Sequence, residues 1–388
     1  MHWQTKKLGD VCDVITGQSP EGNFYNKTGK GLPFYQGKKE FTEKYLGEPT
    51  TWTTKITKEA NEGDVLISVR APVGPVNFAT NKICIGRGLS SIRSGKEIDK
   101  DFLFNFLQMF ESEIVGNAGA VFSSINKTQI ENIEIPLPSL AEQKRIVKKL
   151  DEVFEKVATA KENAEKNLRN SRELFESYLQ SVFAKPGNDW EERKFGEIIL
   201  EVRTGPFGSA LHKSDYIENG IPVVNPQDIV DGKIVSAGKT SVSKQTRKRL
   251  SQYILEEKDI VLARRGEMGR CALVTKKEAG WLCGTGSLLI RLKSEADERF
   301  VLLVLQSVWI KKELETEAIG TTMSNLNQGI IKALKISMPL LSEQETIVKK
   351  LDALSVETKK LEKIYAQKLA DLEELKKSVL KKAFAGEL

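Results

Sequence analysis

The stretch AEQKRIVKKLD at residues 141–151 is answered by SEQETIVKKLD at residues 342–352, 201 positions later. The match continues at the same offset, Pro138 with Pro339, Leu140 with Leu341, Ile125-Asn126 with Leu326-Asn327, and Phe183-Ala184 with Phe384-Ala385. Upstream the offset shrinks in steps. Gly86-Arg87-Gly88 answers Gly284-Thr285-Gly286 at 198, EGDVLISVR from Glu62 answers EKDIVLARR from Glu257 at 195, and WQTKKLGDV from Trp3 answers WEERKFGEI from Trp190 at 187. Helical parts hold register while the rest drifts, which is how a duplicated unit with a fixed frame and variable loops is written.

The repeated opening leads into two segments, 139–184 and 340–385, that contain neither Pro nor Gly. Each begins with a capping-type pair, Ser139 before Glu142 and Ser342 before Glu345. In the first, Val147, Leu150, Phe154, Val157, Ala164, Leu168, Phe175, Tyr178 and Val182 recur at three- and four-residue spacings, interrupted at Lys161 and Ser171. The second is looser, with Val348, Leu351, Leu354, Leu361, Tyr365, Leu372 and Val379 on its apolar face. About 45 residues at 1.5 Å each make a rod of roughly 65 to 70 Å. A rod that long cannot bury its stripe alone, and its own copy is the nearest partner. The expectation is an antiparallel intramolecular pair related by an approximate two-fold axis, with a globular domain at each end and the two chain termini close together. The competing arrangements fold each rod back on its own domain or pair it with another protein.

The remaining sequence is of another kind. Residues 3–138 and 190–339 carry short β-type runs (DVLISV, NKICIG, DIVLA, SLLIRL, IEIPLP) bounded by Gly, Pro, Asn and Asp. Short helices such as FLFNFLQMF and FVLLVLQSVW lie among them. The fold class expected is therefore α+β, two mixed globular domains joined by two long helices. The boundaries are 1–138 for the first domain, 139–187 for the first helix, 188–338 for the second domain and 339–388 for the second helix.

Composition bounds the function. The 388 residues are 40% hydrophobic and 29% charged, ordinary for a soluble chain, and no apolar run approaches a membrane span. The N-terminus MHWQTKK lacks a signal-peptide core, so a cytoplasmic location is expected. Cys12, Cys84, Cys271 and Cys283 are scattered and only His2 and His212 exist, which argues against disulfides and zinc and for buried thiols. The net charge of +6 divides as 0, +2, +3 and +1 over the four segments, so any nucleic-acid footprint must come from local clusters.

At IEIPLPSLAEQKRIVKKLD and LKISMPLLSEQETIVKKLD, supported by WQTKKLGDVCDVITGQSP, LPFYQGKKEF, WEERKFGEIILEVRTGPFGS and GIPVVNPQDIVDGKI, the chain resembles the specificity subunits of type I restriction-modification systems. The resemblance spans the whole chain. It implies DNA target selection, each globular domain reading one half of a split site on double-stranded DNA. The paired helices would set the spacer and dock two methyltransferase subunits, with endonuclease subunits joining the full complex. It also implies no catalysis and no cofactor in this chain, S-adenosylmethionine, ATP and Mg belonging to the partner subunits. Because the two domains differ in sequence, the half-sites should differ too, and two weak readers on one connector bind as one tight one.

Enzyme motifs are missing. There is no phosphate loop, Asn225-Pro226-Gln227 departs from a methyltransferase N-P-P element, and Asp228 with Asp231-Gly232-Lys233 reads as a turn and not as a metal-binding nuclease site. The glycine pairs Gly86-Gly88 and Gly284-Gly286 read as strand-edge turns. Candidate DNA contacts are Lys38, Lys39, Arg70 and Arg87 in the first domain. In the second they are Arg203, Arg247, Lys248, Arg249, Arg264, Arg265 and Arg270. Arginines at strand ends suit guanine edges and lysines suit phosphates. SSINKTQ from Ser123 and TTMSNLNQ from Thr321 offer polar groups, but the matched Asn126 and Asn327 read as framework. Two other classes remain open, a coiled-coil adaptor without DNA readout and an autonomous DNA methyltransferase or nuclease.

Overall fold

A computed structural model of the chain describes residues 3–116, 124–184, 187, 189–235, 240–267, 269–318 and 325–388, with the backbone alone at 112–116. The chain forms two compact units, residues 1–166 with 365–388, and residues 167–364.

In the first unit an antiparallel sheet runs in the order Cys12–Thr16, Leu89–Ser94, Val65–Ser68, Val76–Phe78. Its central strands are apolar on both faces because both faces are covered. Val65, Ile67 and Ile92 pack with Phe102, Leu103 and Phe106 of the helix Lys100–Gly116. Leu66 and Leu89 pack the other way, against Tyr35, Ile83 and Ile85 of a second, five-stranded sheet. This accounts for a run such as DVLISV, in which no alternation marks a solvent face. Thr5–Lys7 pairs with Glu134–Pro136, closing the unit just ahead of the first long helix.

The second unit repeats the order with Ile199–Thr204, Ser287–Leu292, Ile260–Ala263 and Cys271–Leu273. Ile260, Leu262 and Ile290 meet Phe300 and Val301, while Val261, Ala263 and Leu289 face Val224 and Cys283. Glu191–Lys194 pairs with Lys335–Met338. The units diverge in the smaller sheet. A parallel pair is common to both, Leu32–Tyr35 with Ile83–Ile85 and Ile221–Val224 with Leu282–Cys283. Among the described residues the second unit alone adds the hairpin of Ile229–Val230 and Lys233–Ile234, while its counterpart to Lys100–Gly116 is broken at Ser307 into Glu298–Gln306 and Val308–Glu317.

The two long helices are Leu140–Ala184 and Leu341–Phe384, and they pair antiparallel. In the first unit Ile146 and Leu150 near the start of one share a core with Leu380, Ala383 and Phe384 at the end of the other, and Lys161 pairs with Glu373 at 2.7 Å. In the second unit Leu179 and Phe183 pack with Ile347, Val348 and Leu351, and Arg172 reaches Glu362 at 3.3 Å. Trp3 and Leu388 both pack on the first unit's core, as Phe183 and Trp190 pack with Phe300 in the second.

The buried stripe differs from the periodic reading in detail. Ser171 is 5% exposed, its hydroxyl turned back to the carbonyl of Asn167, so a small side chain continues the seam instead of interrupting it. Leu179 is buried where Tyr178 was expected, and Thr358 is buried while Leu361 is 36% exposed.

The helix caps also differ from expectation. The first helix keeps a weak Ser139 cap, with Glu142 N donating to Ser139 Oγ at 3.4 Å. The second begins at Leu341, so Ser342 lies inside it.

Candidate nucleic-acid interface

The repeated glutamine explains the repeated opening. Gln143 is fully buried at the first turn of its helix; its amide donates to the carbonyls of Glu97 and Pro138, both at 2.9 Å, and its oxygen accepts the Asp99 N–H at 2.8 Å. Gln344 donates to Pro339 at 2.9 Å and accepts from Asp297 N at 2.8 Å. Each glutamine therefore ties a long helix to the loop that starts its unit's core helix, where Asp99 and Asp297 cap Phe102 and Phe300. A buried amide with all partners in place fixes orientation as well as adding stability.

A second repeated device ties the two central strands of each sheet together at one end. Asp64 is 3% exposed and takes Arg93 through Nε at 3.0 Å and Nη2 at 2.9 Å, with Ser91 Oγ at 2.8 Å. Asp259, 1% exposed, takes Arg291 through the same two nitrogens at 2.8 Å each. The fork-on-carboxylate geometry is the strong form of an ion pair.

The loops beyond these strands converge on the glycine pairs. In the first unit Gly88 N donates to Gln36 O, Val69 N donates to Gly88 O, and Ile125 N donates to Val69 O. In the second, Arg264 N donates to Gly286 O and Leu326 N to Arg264 O. No side chain fits at Gly205, where a Cβ would lie 1.8 Å from the Gly284 carbonyl; Gly17 faces Gly86 in the same way. These are close backbone crossings at strand ends, as the sequence suggested.

Around the first crossing lie Lys38 and Lys39 on the turn Lys38–Glu40, Arg70 bridged to Ser124, and Arg87 between the glycines; all four are exposed. Around the second lie Arg264, Arg265, whose Nε donates to Asn325 Oδ1 at 2.7 Å, and Arg270, whose Nη1 donates to Pro226 O at 3.3 Å. The other basic candidates are placed differently. Arg203 is held by Glu201 and Gln252, Arg247 by Gly280 O, and Arg249 by Ala210 O and Asp215; the His212 N–H, with Arg249 beside it, keeps the Asp215 carboxyl below its usual range. Lys248 is exposed beside them.

Asn126 and Asn327 cap short helices, accepting from Gln129 N at 2.9 Å and Ile330 N at 3.0 Å. Ser123 and residues 321–324 of the two polar runs lie outside the described residues. One aromatic was overlooked by the sequence reading. Phe207, in the GPFGS loop, is 54% exposed with its ring 5.4 Å from the Arg264 guanidinium. A large apolar residue between glycines in a loop was the available sign.

Asp228 accepts the Asn225 N–H at 2.8 Å, and Asp231 and Gly232 sit at φ 48° and 72° in the hairpin turn, so this acidic stretch is a turn. Burial raises the Asp228 carboxyl. Among the described residues no three His, Cys, Asp or Glu gather as metal ligands would. The four cysteines are buried and free, and burial pushes Cys12, Cys271 and Cys283 up to about 12. Among the described residues no helix is long and apolar enough to cross a membrane.

The family model of the type I restriction modification DNA specificity domain matches residues 1–168 and again 187–372. The chain belongs to this specificity family. Its two copies coincide with the two structural repeats, and chains of the family are DNA-recognition subunits without catalysis of their own. The type I restriction enzyme MjaVIII specificity subunit of Methanocaldococcus jannaschii is 25% identical over 410 aligned positions, covering 100% of this chain and 93% of that protein. The protein designated the MjaX specificity subunit of the same organism is 46% identical over 171 residues, covering 42% of this chain and 40% of that one. Among solved structures, one described as the basis of complex assembly and conformational transition of the type I restriction-modification system covers 100% of this chain and 98% of its own at 21% identity and TM-score 0.79. The HsdS subunit of Thermoanaerobacter tengcongensis follows at 20% identity, TM-score 0.63, with 100% and 97% covered. At these identities the structural likeness is one of fold.

Proposed function

We propose that this chain is the sequence-reading subunit of a type I restriction-modification complex and recognises an asymmetric, bipartite DNA target. Residues 1–138 read one half and residues 188–338 the other. The long helices, 139–187 and 339–388, set the spacing and dock two methyltransferase subunits, to which endonuclease subunits add. S-adenosylmethionine, ATP and Mg act in those partners, and the assembly works in the cytoplasm.

One observation carries this reading: two units share backbone crossings, buried ion pairs and glutamine ties, yet carry different side chains around the crossings. Lys38, Lys39, Arg70 and Arg87 meet the first half-site, and Arg264, Arg265 and Arg270 the second, arginine suiting base edges and lysine phosphates. Arg203, Arg247 and Arg249 hold the loops of the second reader, beside Lys248. Exposed Leu174, Tyr178, Val356 and Ile364 on the paired helices offer apolar surface for a partner.

The test is modification-sensitive sequencing of DNA from cells that express the methyltransferase subunit with and without this chain. Methyl-adenine at one split motif, present only with the chain, supports the reading. Identical methylation in both cells contradicts it and favours an adaptor without DNA readout.

A further inference from the structure

Arg264 is the anomaly of the second unit. Its side chain is 8% exposed, and neither Nε nor Nη1 has a hydrogen-bond partner. Among the described residues the ring over the guanidinium is that of Phe207, at 5.4 Å. A buried cation without a carboxylate or carbonyl is costly, and native structures seldom leave one without a use. Burial and the neighbouring Arg265 both push this guanidinium below its ordinary range, so the site disfavours the charge it holds.

The fold itself does not require arginine here. The same backbone slot in the first unit, with the same two backbone hydrogen bonds, is occupied by Val69 at 5% exposure. An apolar residue satisfies the frame in one copy, so the guanidinium in the other serves something that only the second unit meets. A DNA phosphate is common to both half-sites, whereas a particular base is not. The cover is also movable. Phe207 is 54% exposed, a Cβ at Gly208 would meet nothing within 4 Å, and the Phe207 carbonyl is anchored by the N–H groups of Ala210 and Leu211. The ring can swing while the backbone stays fixed.

We propose that Arg264, stored beneath Phe207, is a specificity-determining side chain that donates to the O6 and N7 acceptors of a guanine in the second half-site once the ring moves aside. This rests on the reading of the chain as a sequence-specificity subunit and adds which residue reads and which base it takes. Storage under an aromatic ring keeps the planar donor group oriented without a competing intramolecular acceptor, and the acceptors on guanine then satisfy it.

The experiment compares wild type, Arg264→Met and Arg264→Gln, each in the full complex with the methyltransferase subunits. Methylated motifs are read by sequencing, DNA affinity is followed across a salt series, and the chain's melting temperature is recorded. Arg264→Met is expected to relax discrimination at one guanine position of the second half-site by about 5- to 150-fold. The first half-site stays unchanged and the melting temperature does not fall, because an unpaired buried charge has been removed. Arg264→Gln is expected to move the preference at that position from guanine toward adenine.

Weaker binding on every sequence alike, with a salt slope shallower by about one, would mark a phosphate contact and overturn the proposal. Loss of both half-sites with a lowered melting temperature would mark a structural residue and overturn it equally. If the wild-type complex itself methylates no split motif, the specificity reading has failed, and the inference falls with it.

Discussion

The two units are built on one plan, and what they share is as informative as where they part. Shared are the sheet order, the Asp64–Arg93 and Asp259–Arg291 forks, the Gln143 and Gln344 ties and the asparagine caps. All of these position backbone. Different are the side chains at the crossings, Val69 against Arg264 and Gln36 against Asn225, the added hairpin of the second unit, and the break at Ser307. A duplicated frame with unlike decoration is what an asymmetric split target requires. Substitutions in the frame should therefore cost stability in either unit and leave the recognised bases alone, while substitutions at the crossings should do the reverse.

The largest expected effect is at the forks. Asp64→Ala strands the partly buried Arg93 and should cost about 3 kcal/mol, the low end for a broken buried pair because the arginine keeps some solvent access, while Asp259→Ala should cost less because Arg291 keeps Glu201 at 3.3 Å and Glu256 at 3.2 Å. Denaturant unfolding of the two variants checks this, and a larger loss for Asp259→Ala than for Asp64→Ala would contradict it.

Gln143→Ala and Gln344→Ala come next, at about 1 to 3 kcal/mol each, since the buried backbone groups they satisfy are left without partners. Hydrogen exchange should show the loss beginning at the junction of each long helix with its unit. The smallest effect belongs to the caps. Asn126→Ala and Asn327→Ala should each lower stability by about 1 kcal/mol with no change in the methylated motif. A changed motif would move those asparagines from frame to reader.

Much of this was legible in the sequence because repetition marks the frame. The offsets of 187, 195, 198 and 201 fall on the four strands and the long helix that the units share, and the apolar runs DVLISV and DIVLA proved to be strands covered on both faces. The long helices were visible from their lack of Pro and Gly. Their seam was legible only in part: Ala164 lies on the periodic stripe and is buried, but periodicity counts apolar residues and so passes over the buried Ser171 and Thr358. Ser342 misled as a cap because a hydroxyl before a glutamate looks alike whether it precedes a helix or lies inside its first turn. The basic candidates were chosen by type, whereas the partners that hold them, such as Glu201, Gly280 and Asp215, sit 2 to 34 positions away and come together only in the fold. The glycines around Phe207 were a sign of an exposed apolar side chain, but the burial of Arg264 beneath it has no sequence signature.

The central claim is that each unit reads its own half of the target. Replacing residues 188–338 with a second copy of residues 1–138, between the unchanged long helices, tests it most directly, with methylation mapped genome-wide alongside the wild-type chain. The account predicts that the asymmetric motif disappears and a palindrome of its first half, inverted about the spacer, takes its place. Methylation persisting at the original asymmetric motif would contradict it.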